Sequence, residues 1–382
     1  MKIAIVPVGY NRKKPLQRLL RSICEANYGK DKVDLIVSLD KSDKQKELVE
    51  LAESIKWQYG EKKIRTFKER QGLRQHILQC GDLTNEYDAV VILEDDLIVS
   101  KGFYDYVHSS VEYYKNSEYI GGISLYSHKS NPGNGRLFEA ANNGYDVYLM
   151  KYAQSWGQCW TSKMWRGFRE WYKKHENYSF ENSQIPRYVA GWNSQSWLKY
   201  YIAYCVECNK YFVYPYLSLT TNATEVGEHN RIQSTAYQVP ILLDTLKRPY
   251  LFGDFIDLIK YDAYYEREFD VKDILALDGN ISLDLYGMKY DFKNYDYVVS
   301  TRKLSFKIIK RIALQYRPHE MNIVIPEKGE GIYVYDLHES VNKEKDCLVP
   351  MINYELKAIS SKFTLLHGLN GLKNKILMNR KK

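Results

Sequence analysis

Over its first hundred residues the chain alternates short apolar runs with segments whose apolar residues recur every three or four positions, the rhythm of a parallel sheet with covering helices. The pattern predicts strands over 3–8, 33–39, 64–67 and 89–93, separated by helices over 15–26, 44–57 and 73–80. Pro15 falls in a first helical turn, where its missing N–H costs nothing. The run Val90-Val91-Ile92-Leu93 ends on three consecutive acids, Glu94, Asp95 and Asp96, before hydrophobicity resumes at Leu97-Ile98-Val99. Asp40 follows Val37-Ser38-Leu39 in the same way. In open α/β sheets ligands gather beyond the carboxyl ends of strands, so both acid positions lie where a site is expected.

The pattern then loosens into an aromatic-rich stretch. It predicts a helix over 104–115, a strand over 120–125, a loop over 130–135 and a helix over 165–172. Ser155-Trp156-Gly157-Gln158-Cys159-Trp160 precedes that last helix, and the segment from Trp192 to Trp197 opens another. The polar stretch 220–230 reads as a loop. Beyond 272, short alternating segments such as 297–300 and 323–325 predict an appended α+β portion. The organisation expected is therefore a domain over 1–253, with a ligand-binding half (1–100) and a second half (101–253), an extension over 254–355, and a tail over 356–382.

Composition sharpens this picture at three points. With 382 residues and 45% hydrophobic content the chain can bury a sizeable core. The net charge of +8 is uneven: 356–382 holds seven Lys or Arg residues and no acid, interleaved with Phe363, Leu365, Leu366, Leu369, Leu372, Ile376 and Leu377. Such a basic amphipathic tail suits an anionic membrane surface, and equally an ordinary basic surface helix. No recognisable nucleic-acid module accompanies it. The N-terminal apolar run is too short for a signal peptide, and no stretch approaches the roughly 18 apolar residues of a membrane span. The expected location is the cytoplasm, peripheral to the inner face of the cell membrane. Six scattered cysteines predict reduced thiols, and Cys205-Val206-Glu207-Cys208 lacks the second pair a zinc site needs. Without GxGxxG after the first strand or GxxxxGK[ST] anywhere, dinucleotide and P-loop readings lose support.

Three adjacent carboxylates repel one another and lose hydration at a strand end, so they persist where a hard divalent cation or strong donors neutralise them. A metal-bound diphosphate is the natural guest, and an exposed acidic turn is the plainer alternative. Gly72-Leu73, the Glu94-Asp95-Asp96 run with its flanks, Ser155-Trp156-Gly157, the Trp192/Trp197 segment and 221–229 together resemble the metal-dependent nucleotide-sugar glycosyltransferases of the GT-A fold. The likeness is to bacterial surface-polysaccharide glycosyltransferases and, more distantly, to Golgi N-acetylglucosaminyltransferases.

That resemblance implies a Rossmann-like, mostly parallel mixed sheet flanked by helices over about 1–250. It also implies a donor nucleotide-sugar such as a UDP-sugar, Mn²⁺ or Mg²⁺, and a glycan or lipid-linked acceptor in surface polysaccharide synthesis. In it Asp96 would hold the metal, Asp95 and Glu94 would line the donor site, and Asp40 would meet base or ribose. Arg12 and His76 would reach nucleotide or phosphate, and His229 would contact the diphosphate when its loop closes. Carboxylate-held metal stabilises the charge of a departing nucleoside diphosphate. An inverting transferase also needs a base for the acceptor hydroxyl. Golgi relatives carry an acid where this chain aligns Asn193, and a neutral amide is no base: either the acid lies at a shifted position, or Glu225, Glu228 or Glu181 takes over, or the enzyme works differently. Trp156, Trp160, Trp192 and Trp197 are candidates for an acceptor platform or for core. Two other classes stay open: a sugar-phosphate nucleotidyltransferase, and a non-catalytic glycan-binding protein of transferase descent.

Overall fold

The computed structural model describes residues 1–181, 183–223, 235–246, 248–346, 348–356 and 358–379, in two compact units, Met1–Phe269 and Asp270–Lys382. Unit 1 begins with β1 (Ile3–Gly9), α1 (Lys13–Cys24), β2 (Val33–Leu39), α2 (Gln45–Ser54), β3 (Lys62–Thr66), α3 (Leu73–Gly81), β4 (Ala89–Glu94) and β5 (Leu97–Val99). It continues with α4 (Phe103–Tyr114), β6 (Ile120–Ser124), β7 (Val147–Met150), β8 (Gln158–Thr161), α5 (Ser162–Lys174), α6 (Arg187–Ala190), α7 (Leu198–Glu207), β9 (Tyr211–Pro215), β10 (Thr220–Asn222) and β11 (Lys260–Tyr261).

Nine of these strands form one sheet in the order β11-β7-β9-β6-β8-β4-β1-β2-β3. β3, β2, β1 and β4 are mutually parallel, β8 runs antiparallel to both β4 and β6, and β6 and β9 are parallel again. β7 is antiparallel to β9 and parallel to β11. The fold class is thus the one expected, a mostly parallel mixed α/β sheet flanked by helices. Every residue of β1 is buried, as a central strand covered on both faces requires, whereas β3, Lys62-Lys63-Ile64-Arg65-Thr66, guards the sheet edge with cations. Helix α1 meets the sheet through Leu16, Leu19, Leu20 and Ile23, a stripe at helical spacing.

The chain runs outward from β1 to β2 and β3, then returns to β4 on the other side of β1. The carboxyl ends of β1 and β4 therefore flank a topological switch point, where open sheets leave a crevice.

Two local expectations need correction. Residues 220–222, expected in a loop, form β10, which pairs antiparallel with β5 in a separate two-stranded sheet: Thr220 opposite Val99, Thr221 opposite Ile98 and Asn222 opposite Leu97. The polar sequence Thr-Thr-Asn hides a strand because its register is fixed by β5. Residues 323–325, expected to alternate as a strand, belong instead to the helical turn α9 (Met321–Val324) and its cap. Asn322 there accepts the N–H groups of Gln315 and Tyr316, at 2.7 Å each, and donates to the carbonyls of Tyr316 and His319. These local bonds outweigh the extended preference of the flanking β-branched residues.

Unit 2 contains α8 (Lys272–Leu275), β12 (Ile281–Asp284), β13 (Tyr297–Ser300), β14 (Phe306–Ala313), α9, β15 (Gly331–Ser340), α10 (Val349–Leu356) and α11 (Ser361–Asn379). Its strands form a four-stranded sheet ordered β12-β13-β15-β14, with Val298, Tyr333 and Tyr335 at its core. Among the described residues, no helix is long and apolar enough to cross a membrane.

Candidate functional site

At the switch point, Arg12 in the β1–α1 loop faces the acids that end β4. Its Nη2 donates to Asp95 Oδ1, its Nε lies 3.3 Å from Asp95 Oδ2, and Nη2 lies 3.3 Å from Asp96 Oδ2. Burial opposes the guanidinium's charge, but Asp95 and then Asp96 outweigh it and hold the group more firmly protonated than usual. Burial is also the largest influence on Asp95, whose carboxyl rises to about 6 although Arg12 pulls it down. The Glu94 carboxyl is pushed up as well, first by burial and then by the charges of Asp96 and Asp95. Burial and mutual repulsion therefore disfavour full ionisation of the cluster, and a bound cation would relieve both.

Two atoms in this cluster are buried without a hydrogen-bond partner: Asp96 Oδ1 and Arg12 Nη1. An orphaned acceptor and an orphaned donor in one cluster suit a cation and an anion bound together, and each costs about 1–3 kcal/mol while unsatisfied. Among the described residues no three His, Cys, Asp or Glu side chains group as a metal cage. A hard cation such as Mg²⁺ does not require one, because one or two carboxylates hold it and phosphate oxygens and water complete its shell. Asp96, with its free oxygen, fits that role.

The remaining expected residues divide into two groups. Asp40, 3% exposed, accepts the backbone N–H groups of Lys41 (2.7 Å), Gln71 (2.8 Å) and Gly72 (3.0 Å), so its carboxylate fixes the loop before α3. Gly72 has φ +74°, and a Cβ there would stand 2.8 Å from Gln195 Oε1, which brings the 192–197 segment against this loop. Asn193 is exposed, and its Oδ1 accepts the N–H of Gln195 at 2.9 Å, shaping that turn. His76 is buried on α3, 2.7 Å from Ser38 Oγ and edge-on to Phe67; burial lowers its pKa to about 4, so it stays neutral. Glu181 is exposed. Glu225, Glu228 and His229 lie outside the described residues.

β10 joins the acid cluster directly. The N–H of Ala223 donates to the carbonyl of Asp96 at 2.8 Å, and Thr220 Oγ1 donates to the carbonyl of Trp156 at 2.6 Å. Gly157 has φ +96°, and a Cβ would stand 2.8 Å from Thr220 Cγ2, so glycine is required where the 155–157 turn meets β10. Trp156 packs on Tyr126 and Tyr237, with ring centroids 4.8 Å away in each case. Trp160 and Trp197 are buried against Tyr201 in the core and offer no platform, while Trp156 and Trp192 are partly exposed.

Three residues of this region escaped the sequence reading. Gln154 Oε1 accepts the N–H groups of Ser155 and Trp156, and its Nε2 lies 2.9 Å from His128 Nε2. His128 is buried among aromatic rings, and burial lowers its pKa to about 3. Gln158, fully buried on β8, has neither amide N nor amide O bonded. It pairs with Ile92 and so shares a face with Glu94, two residues along β4. Gln158 sits inside the 155–160 motif, which is the one signal that pointed to it.

No family model matches the chain, and no curated protein matches it in sequence. Solved structures match in part. Residues 1–349 of S. aureus TarS in complex with UDP-GlcNAc share 12% identity over 60% of this chain and 60% of that one, with a TM-score of 0.39. A longer S. aureus TarS chain shares 12% identity over 57% of this chain and 35% of its own, with a TM-score of 0.34. The mannosyltransferase PcManGT of Pyrobaculum calidifontis in complex with GDP-Man and Mn²⁺ shares 14% identity over 45% and 46%, with a TM-score of 0.31. The chain thus spans 35% to 60% of the length of these solved chains.

Proposed function

We propose that this protein is a metal-dependent glycosyltransferase of GT-A type that moves a hexosyl or N-acetylhexosaminyl group from a nucleotide-diphospho-sugar, UDP-linked in our reading, to a glycan or lipid-linked acceptor. The observation that carries the reading is the Arg12–Asp95–Asp96 cluster at the carboxyl ends of β1 and β4, with one orphaned acceptor and one orphaned donor. In this reading Asp96 holds Mn²⁺ or Mg²⁺, with Glu94 and Asp95 beside it, and Arg12 meets the diphosphate. When bound, the metal acts as a Lewis acid on the leaving diphosphate. Arg12 would then have two tasks: it neutralises Asp95 and Asp96, and its unpaired Nη1 would donate to phosphate oxygen, a match of planar donor to anion.

Asp40 acts through the backbone rather than on the donor, by fixing the 71–72 loop against the 192–197 turn. The acceptor side is assigned to Trp156 and Trp192, the two partly exposed tryptophans of the four. Asn193 does not serve as base; that role, with inversion at the anomeric carbon, is assigned to Glu225 or Glu228. The exposed apolar and basic residues of α11 would hold the enzyme at an anionic inner membrane face, where lipid-linked acceptors of surface polysaccharide reside.

The test is donor turnover in Asp96→Asn and Asp96→Ala. The reading expects metal-dependent release of nucleoside diphosphate to fall at least a hundredfold in both, with circular dichroism unchanged. Full activity in both variants would sink it.

A further inference from the structure

Unit 2 carries a cleft that the donor-site chemistry does not use. It has a volume of about 840 Å³, within the size range of small-molecule sites, and lies wholly within residues 290–338. Its floor is apolar: Phe292, Leu304, Phe306 and Leu337, packed on the Val298–Tyr333–Tyr335 core. Its rim carries Tyr290 and Tyr295, which are 53% and 39% exposed. Tyrosine rings exposed at the mouth of a concavity present flat faces on which the apolar side of a ligand can stack.

The Tyr290 ring is held in place by Arg302, itself part of the cleft lining. Asp284, fully buried, accepts from Arg302 Nη2 at 2.8 Å and from Nε at 3.1 Å, and the Arg302 guanidinium lies 4.9 Å from the Tyr290 centroid. A buried carboxylate thus fixes an arginine, and the arginine fixes an aromatic plate. Charge narrows the guest. The lining holds two carboxylates, Asp291 and Asp296, against Lys293, Arg302 and His338. Asp296 Oδ1 lies 3.3 Å from His338 Nε2 and Arg302 is committed to Asp284, while Asp291 and Lys293 carry opposite charges, so the lining is close to neutral. Neither a polyanion nor a polycation meets a field of opposite sign. What remains is flat apolar area ringed by donors and acceptors of both kinds, including Asn294 and Ser305, which suits a neutral chain of hydroxyl-rich rings with apolar C–H faces.

We propose that this cleft is a binding site for a neutral glycan, with Tyr290 and Tyr295 as its stacking plates. The proposal stands apart from the donor-site reading, because a glycan binds here whether or not unit 1 transfers a sugar.

The test is affinity electrophoresis of the full chain in native gels containing hydroxyethylcellulose, glucomannan or dextran, with polygalacturonate as the anionic control. The wild type is expected to be retarded by at least one neutral polymer and not by polygalacturonate. Tyr290→Ala with Tyr295→Ala should weaken that retardation at least tenfold. Tyr290→Phe with Tyr295→Phe, which keeps the rings, should stay within about threefold of wild type. Asp96→Ala should be retarded like wild type, which separates this site from the donor site. Retardation by none of the three neutral polymers, equal or stronger retardation by polygalacturonate, or retardation that survives the double alanine change would overturn the proposal.

Discussion

Arg12 and Gln158 hold opposite kinds of imbalance at neighbouring strand ends. Arg12 neutralises carboxylates that would otherwise repel, and replacing it with glutamine removes the cation that Asp95 and Asp96 share. Arg12→Gln is expected to lower stability by about 1–3 kcal/mol, read by urea denaturation in EDTA. Millimolar Mn²⁺ should restore part of that loss, because a cation takes over the neutralising role; no Mn²⁺ effect would contradict the assignment of Asp96. Gln158 works the other way, since its amide is buried with nothing bonded. Gln158→Leu should raise the stability of the ligand-free protein by about 1–3 kcal/mol, in the manner of a site residue that costs stability. It should also shrink the melting-temperature rise given by the preferred donor. A variant less stable than wild type would mean that the amide has a structural role.

Among the elements, the strands whose both faces are buried were legible in the sequence and those defined by distant partners were not. β1, β2 and β4 stand out as apolar runs because helices cover both faces of the sheet. β10 is Thr-Thr-Asn and becomes a strand only through β5, and β11 is two residues, Lys260 and Tyr261, laid along β7. The acid cluster was legible because three consecutive carboxylates after an apolar run violate local economy. The contribution of Gln154 and His128 was not, since it depends on Gln154 meeting Ser155, Trp156 and a histidine 26 residues away. The 155–157 turn gives an element-scale prediction. Gly157→Ala should cost about 1–3 kcal/mol, from positive φ and from the approach to Thr220 Cγ2. Adding Thr220→Ser removes that methyl and should recover part of the loss, leaving the backbone strain. Additive losses in the double-mutant cycle would show that the contact does not exist.

For the whole molecule, pH and charge distribution are the available levers. His76 and His128 have folded pKa values lowered to about 4 and about 3 by burial. The unfolded chain therefore takes up protons below about pH 6.5 that the folded chain refuses, and each histidine removes roughly 1.4 kcal/mol per pH unit as pH falls through that window. Asp95, raised to about 6, has the opposite sign and adds stability as pH falls from above 6 toward 4. Comparing wild type with His128→Gln isolates one histidine: between pH 7 and 4.5 the variant should lose roughly 2–3 kcal/mol less stability than wild type. Equal losses would contradict the buried neutral state.

The exposed side chains of α11, Phe363 at 70%, Leu365 at 64% and Leu372 at 61%, argue for a partner at this end of the chain. Deleting 357–382 should reduce association with vesicles rich in phosphatidylglycerol while donor binding is unchanged, and association that persists would leave the tail without that role.

The proposed donor site is the centre of this account, and thermal shift tests it most directly. Wild type and Asp96→Ala are melted with UDP-, GDP-, CMP- and dTDP-sugars, each in Mn²⁺ or in EDTA. One nucleotide family, UDP in our reading, should raise the wild-type melting temperature only with Mn²⁺, and the rise should vanish in Asp96→Ala. No shift from any donor, or a shift indifferent to both metal and Asp96, would contradict the account.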